Sequence, residues 1–290
     1  MKLGLIGTGL MGKPIAQKLV ESNHKLNIYN RTKSKTTELA KLGAVVFTDI
    51  IEFAQETDVI ILMLSNYDSI DEVLFGSNIG NFENKTIIQM STISPTECVE
   101  LNSRIKKLRG SYFEAPVLGS IPQILNGELI VLVGSSNEQF SKWKNIFDTF
   151  SNKVLHIGEI GQAAAMKLAL NQLIISETVA FAVSLGFVRE NNLNVETFME
   201  ILRNSALYAP TFDKKLPNYL SGNFDSPNFP VKHLLKDLDL MLNSFAEKNI
   251  NTDSLKSIRK ILIDSIQKGN SDKDYSAIYN SVHLQKRNQF

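Results

Sequence analysis

The sequence predicts an α/β chain: a doubly wound sheet over residues 1–160, then an all-α domain over 161–290 built around one long helix. Three observations carry this. A short apolar run beginning at Leu3 ends in Gly7-x-Gly9-x-x-Gly12, at the opening of a helical pattern. Strand-like and helix-like segments then alternate as far as His156. After Gly158-Glu159-Ile160-Gly161 the period becomes helical, and no proline interrupts it from Gln162 to Glu190.

The stretch from Leu3 to Lys18 sets strand, glycine turn and helix in the order that a dinucleotide-binding Rossmann fold requires. Gly7 permits the tight turn, Gly9 lets the backbone approach a pyrophosphate, and Gly12 lets the helix pack on the strand. Thr8, Leu10 and Met11 complete the loop. Beyond it the helix N-terminus offers unpaired N–H groups and the positive end of its dipole. Ile15, Ala16, Leu19 and Val20 give this helix an apolar face, and a second strand returns at Leu26–Tyr29.

That strand ends in Asn30-Arg31-Thr32. An NAD site usually carries an acid here, to accept a hydrogen bond from the ribose 2′-OH. None is present. Asn30 can bond a hydroxyl or a phosphate oxygen, Arg31 can pair with a 2′-phosphate, and Thr32 can donate to it. NADP is therefore the expected cofactor, with NAD as the alternative. A solvated arginine on a turn would read the same way.

The alternation continues. Ser34–Leu42 reads as helix, Ala44–Phe47 as strand, and Asp49 caps a helix reaching Gln55. Val59–Leu64 is a continuous apolar run, as a buried parallel strand should be. It leads into Leu64-Ser65-Asn66, at the carboxyl end where such sheets bind ligands. Asp68–Phe75 follows as a short helix, then strand Thr86–Met90 and the hydroxyls of Ser91 and Thr92. Ser94 is placed to cap the next helix with Pro95 in its first turn. Ser91 and Thr92 could serve the same capping, or could hold a carboxylate or the nicotinamide amide. Gly119-Ser120 offers backbone N–H groups and a hydroxyl, either an anion site or a plain β-turn. Leu129–Val133 is a strand after an Asn-Gly turn, Asn137–Phe150 a helix and Lys153–His156 a last strand. His156 reads as a structural histidine.

Bulk properties exclude several classes. A net charge of +1, without a basic cluster interleaved with aromatics, argues against nucleic acid. The single Cys98 forbids an intrachain disulfide and fits a reducing compartment. No metal-ligand spacing is evident. No apolar run is expected to reach membrane-spanning length, and no signal peptide is read at the N-terminus. A soluble cytoplasmic protein is the expectation.

In the helical half, Ala163–Ile175 is apolar apart from Lys167, Asn171 and Gln172, which predicts a buried helix. Lys167 and Asn171 are four apart and share a face. An ammonium buried there would be costly unless partnered, which makes Lys167 a candidate acid–base group. Further helices are expected at Val195–Ser205, Pro210–Lys215, Val231–Lys248, Asp253–Gln267 and Ser276–Val282, with Pro217–Pro230 as a loop.

Assembled, these residues resemble the β-hydroxyacid dehydrogenase family over the whole chain. The motifs are Gly-Leu-Ile-Gly-Thr-Gly-Leu-Met-Gly at 4–12, Met-Ser-Thr-Ile-Ser-Pro at 90–95 and Glu-Ala-Pro-Val-Leu-Gly-Ser at 114–120. Gly158, Gly161, Lys167 and Asn171 in order, and Lys236-Asp237-Leu238, complete the set. The resemblance implies Lys167 as the catalytic lysine and Asn171 as a substrate contact. It implies Thr92 and Lys236 as cofactor contacts, Leu64-Ser65 as a loop under the cofactor, and Gly119 and Ser120 in the substrate loop. Leu118 stands where relatives commonly carry serine, which bears on substrate identity. The implied reaction interconverts a small 2- or 3-hydroxyacid and its aldehyde or keto form, with a carboxylate-bearing substrate held by Ser91, Thr92, Gly119 and Ser120. A homodimer or homotetramer is expected. Two other readings stand beside it: an imine reductase, against which the retained Lys167 argues, and a regulatory protein that binds the cofactor without chemistry. A chain of 290 residues leaves no room for the long helical extension of the larger 6-phosphogluconate dehydrogenases.

Overall fold

The computed structural model describes residues 1–77 and 79–283; residues 284–290 of the expected helical domain lie outside the described residues. The chain divides into two compact units, Met1–Leu168 and Ala169–Phe290.

The first unit runs β1 (Leu3–Ile6), α1 (Gly12–Glu21), β2 (Leu26–Tyr29), α2 (Thr37–Lys41), β3 (Val45–Phe47), α3 (Ile50–Gln55), β4 (Val59–Leu62), α4 (Tyr67–Asp71), β5 (Thr86–Gln89) and α5 (Pro95–Lys107). It continues with β6 (Ser111–Glu114), β7 (Val117–Leu118), α6 (Ile121–Asn126), β8 (Leu129–Gly134), α7 (Asn137–Trp143), β9 (Ser151–Gly158) and the start of α8 (Gln162–Glu190). The nine strands form one sheet in the order β3-β2-β1-β4-β5-β6-β8-β7, with β9 on β8. Neighbours from β3 to β6 are parallel, and β8 is antiparallel to both β6 and β7.

Two apolar clusters cover the sheet. Val59, Ile61, Ile88 and Phe113 point into one, while the alternate residues Ile60, Leu62, Ile87 and Tyr112 point into the other. Burial on both faces is why these strands are uniformly apolar. Helix starts follow the expected chemistry. Asp49 accepts from the N–H groups of Ile51 and Glu52, and Ser94 and Glu97 form a reciprocal capping box beside Pro95.

Pattern reading leaves 111–114 and 121–126 unassigned, and they are β6 and α6. In β6 the polar ends Ser111 and Glu114 hide a strand, since Glu114 itself is fully buried. In α6 Pro122 sits in the first turn, where its missing N–H costs nothing.

The second unit contains most of α8, then α9 (Val195–Arg203), α10 (Pro210–Ser221), α11 (Val231–Ala246), α12 (Asp253–Ser265) and α13 (Tyr279–Val282). The expected break at Pro217 is wrong: α10 continues to Ser221 and ends at Gly222 in the left-handed region. An internal proline costs about 3 kcal/mol. Burial of Leu216 and Tyr219 on either side of it is worth about 1.5–3 kcal/mol each, which offsets that cost. The buried Lys215 ammonium binds both carboxylate oxygens of Asp274, at 2.7 and 2.8 Å, and so ties α10 to the segment before α13.

Two expectations about α8 also need correction. By length and composition it could cross a membrane, contrary to the reading that no apolar run is long enough. Nor is it buried all round. Met166, Leu173, Ala180 and Phe187, at a spacing of seven, form an exposed apolar stripe.

The start of α8 has an unusual cap. Gly161, with φ of +94°, precedes the helix and has no side chain to cap it. Glu114 of β6 does so instead. Its Oε2 accepts from the Gly161 N–H at 2.5 Å and its Oε1 accepts from the Ala164 N–H. Burial pushes the Glu114 carboxyl up to about 7, although these donors and the Cys98 thiol pull it down.

A carboxyl whose pKa is raised in the folded state favours folding below its unfolded value of 4.5, and that contribution is lost as the pH rises through about 7. The shift corresponds to about 3 kcal/mol. The stability of Glu114→Gln relative to the parent should therefore improve by up to about 3 kcal/mol between pH 4.5 and pH 8. Urea denaturation of both proteins across that range checks this; a difference that does not change with pH would contradict it.

Candidate active site

The glycine loop lies at the carboxyl end of β1, where the strand order steps from β2 on one side to β4 on the other. Gly7 and Gly12 are explained by the protein alone. A Cβ at Gly7, with φ of +98°, would lie 2.3 Å from the Met63 carbonyl oxygen, and one at Gly12 would lie 1.8 Å from that of Gly7. Gly9 is different: a Cβ there would meet nothing within 4 Å. Its surroundings give no packing reason for glycine, whereas a phosphate laid against the backbone would. Beside it the hydroxyl oxygen of Thr8 is buried and has no hydrogen-bond partner among the described residues. Both features fit a dinucleotide whose phosphates take up these groups.

An adjoining pocket of about 490 Å³ is lined by Thr8, Gly9, Leu10, Lys13, Ser34 and Lys35, among others. No side chain caps α1 and no acid occupies its first turn, so its N-terminus keeps its positive character. Lys13 pairs with Glu38 at 2.5 Å. Lys35 was not singled out by sequence, although its place in the turn after β2 is the signal that could have found it.

Asn30 organises the loop. Its Oδ1 accepts from the Thr8 N–H at 2.9 Å, and its Nδ2 donates to the Thr32 carbonyl at 2.9 Å. Arg31 is 87% exposed, and among the described residues it forms an ion pair with Glu72 at 3.7 Å. Such a surface pair is worth little and leaves the guanidinium available.

Ser91, at the end of β5, also has a structural task. Its hydroxyl accepts from the Leu64 N–H at 2.8 Å, which pins the Leu64-Ser65 segment. Gln89 in turn donates to the Ser91 carbonyl at 2.9 Å. Thr92 is half-buried alongside. Gly119, with φ of +133°, leads into Ser120, which caps α6. The Ser120 N–H and hydroxyl both donate to Gln123 Oε1, at 3.0 and 2.8 Å, so the N–H expected to be bare is engaged.

On α8, Lys167 and Asn171 are 8% and 3% exposed, and Thr178 further along is 3% exposed. In the second unit, Asn171 Nδ2 donates to Asp237 Oδ2 at 2.8 Å, and the Lys236 ammonium lies 2.7 Å from Asp237 Oδ1. In the sequence Asp237 enters only within the Lys236-Asp237-Leu238 motif, with no role of its own, yet it is 2% exposed and fixes Asn171. Cys98 is buried and burial pushes its thiol up, as core filling requires. His156 accepts a structural role too, stacked on Phe140 and 2.8 Å from the Ser135 carbonyl.

Comparison with known proteins bears on the family. Residues 2–158 match the family described as the NAD binding domain of 6-phosphogluconate dehydrogenase. Residues 161–282 match the family described as NAD-binding of NADP-dependent 3-hydroxyisobutyrate dehydrogenase. Glyoxylate/succinic semialdehyde reductase 1 of Arabidopsis thaliana is 29% identical over 99% of this chain and 100% of its own. The 2-hydroxy-3-oxopropionate reductase of Escherichia coli is 27% identical, over 98% of each chain. The fold is that of 3-hydroxyisobutyrate dehydrogenase from Mycobacterium tuberculosis, with a TM-score of 0.87 at 19% identity over 98% of this chain and 99% of that one. With two family models covering both halves of the chain in order, and a glycine loop shaped for a dinucleotide, the chain belongs to the β-hydroxyacid dehydrogenase family and is an NAD(P)-dependent oxidoreductase acting on CH–OH groups.

Proposed function

We propose that this enzyme prefers NADP and interconverts a small hydroxyacid with a carboxylate-bearing aldehyde or 2-oxo acid, such as succinic semialdehyde or glyoxylate. Lys167 is its general acid and base. The observation that carries this is the burial of Lys167 one helical turn before a buried Asn171. Burying an ammonium in an apolar helix carries a desolvation cost, and a role in proton transfer accounts for keeping it there.

Bound NADPH supplies a hydride to the substrate carbonyl carbon. Lys167 donates a proton to the carbonyl oxygen as negative charge develops there, and takes it back in the oxidative direction. Asn171, held by Asp237, orients the oxygen. The N-terminus of α1 and the loop Thr8–Met11 would hold the pyrophosphate. With Asn30 committed to the loop, Arg31, Thr32 and Lys35 are left for the 2′-phosphate. Thr92 and Lys236 are assigned to the cofactor, and Thr92, Gly119 and Ser120 to the substrate carboxylate. Residues 1–160 form the cofactor-binding domain, which also lends Thr92, Gly119 and Ser120 to the substrate, and 161–290 serve mainly the substrate and self-association.

The cofactor assignment is checked by the dissociation constants of NADPH and NADH for the parent and Arg31→Ala. Loss of a charge-assisted contact should weaken NADPH about 10- to 100-fold and leave NADH nearly unchanged. Equal losses for both cofactors would end it.

For the proton donor, Lys167→Ala should lower kcat by about 10²–10⁴-fold while NADPH still binds. Near-normal turnover by that variant would remove Lys167 from the mechanism.

The substrate reading turns on Leu118, half-buried in β7 opposite Ile130. A leucine there offers no donor to a substrate hydroxyl, and an unpaired polar group costs about 1–3 kcal/mol. Tartronate semialdehyde should thus show a lower kcat/KM than succinic semialdehyde, and Leu118→Ser should narrow the gap. An uncharged aldehyde that reacted as well as either would refute the carboxylate site.

A further inference from the structure

We infer that Glu114 is a positioning residue for Lys167: its carboxylate fixes the first turn of α8, and with it the place of the ammonium one turn later. The inference rests on the reading of Lys167 as proton donor. Its basis is a substitution of parts. In an ordinary capping box the residue before the helix and the third residue within it satisfy each other's N–H groups. Here these are Gly161, which has no side chain, and Ala164, whose methyl cannot accept. One buried carboxylate from β6 takes both N–H groups instead. Gly161, Ala164 and Lys167 follow at intervals of three, so Lys167 projects from the turn that follows the capped one.

The sheet reserves room for this carboxylate. Gly134 of β8 pairs with Glu114, and a Cβ at 134 would come within 2.9 Å of Glu114 Oε2. The backbone of Gly134 does not need glycine, since it is not among the residues with positive φ. The carboxylate, together with the Glu159 carbonyl oxygen at 3.0 Å, excludes a side chain there.

The cap has a charge state. Ionised, both oxygens accept; protonated, one presents an O–H to an N–H and half the cap is lost. Burial places this change at about 7. Around Glu114 stand the Cys98 thiol of α5 and the Tyr112 phenol of β6, both pushed up by burial and hence neutral, with Glu97 of α5 acting on both. Turnover in the parent should therefore fall as the pH drops through about 7. Loss of the Lys167 proton would act at the opposite end of the profile.

The test compares the full-length parent, Glu114→Gln, Lys167→Ala and the double variant. For each, kcat is measured from pH 6 to 9 with NADPH and whichever of succinic semialdehyde and glyoxylate turns over faster. NADPH affinity and amide hydrogen exchange of residues 161–168 are measured alongside. Glu114→Gln should lower kcat at pH 8 by about 10- to 100-fold, the usual consequence of a slightly misplaced catalytic group. NADPH affinity should stay within about twofold, the acid limb should vanish, and 161–168 should exchange at least about tenfold faster. The double variant should be no slower than Lys167→Ala alone. Gly134→Ala, which crowds the same carboxylate and the Glu159 carbonyl beside it without changing the chemistry of either, should show the same pattern in weaker form and serves if Glu114→Gln does not fold. A kcat within about twofold of the parent, a surviving acid limb, unchanged exchange, or a second full loss in the double variant would each overturn the inference. Normal turnover by Lys167→Ala would instead overturn the reading of Lys167, while leaving the exchange result to judge the cap.

Discussion

Covering both faces of a parallel sheet constrains everything else in the first unit. Val59–Leu62 and Thr86–Gln89 are buried throughout, so no polar chemistry can sit on the faces of the sheet. It is confined to strand ends, where the chain turns and backbone groups are left over. The glycine loop follows β1, Asn30-Arg31-Thr32 follows β2, Leu64-Ser65 follows β4, and Ser91-Thr92 follows β5. Parallel pairing brings these four carboxyl ends to one edge.

At that edge, several residues of ligand-binding type hold one another. Asn30 is bonded to Thr8, Ser91 to Leu64, and Ser120 to Gln123. These bonds fix loops whose backbone and remaining side chains then meet a ligand. Among the described residues, Arg31 and the Thr8 hydroxyl lack such commitments: the first is exposed with one distant partner, the second is buried with none. A buried hydroxyl without a partner costs free energy that folding alone does not recover, so it points to a bound group more sharply than an engaged one does.

The sequence makes the sheet and the glycine loop legible because their signals are local. Apolar runs, the Gly7-Gly9-Gly12 spacing and caps such as Asp49 and Ser94 act within a few residues. It also exposes Lys167 and Asn171, because each is polar within an apolar run. What it hides is long-range. Asp237 looks like one charge among several on α11, and only the fold shows it buried against Asn171. Pro217 looks like a helix stop, and only the burial of Leu216 and Tyr219 explains why α10 runs through it. Glu114 looks like the first letter of a loop motif, and its partners lie 47 and 50 residues away. The exposed stripe on α8 is invisible for the same reason, since composition cannot tell which side of an apolar helix the rest of the chain covers.

Glu114 sets stability against function. As a neutral group it would be cheap to bury; as an anion at about pH 8 it carries a desolvation cost that the two N–H donors and the dipole of α8 only partly return. A chain selected for stability alone would replace it with an uncharged residue, or give Gly161 a side chain that caps its own helix. The positive φ at 161 disfavours the second route, since a Ser or Asp there would be strained. The carboxylate from β6 does what a local cap cannot. It anchors the first turn of α8 to a strand in the middle of the sheet, the same strand whose end leads into Val117-Leu118-Gly119. The helix that carries Lys167 and the loop assigned to the substrate are thereby referred to one rigid element, and a proton donor held that way need not be positioned anew at each turnover.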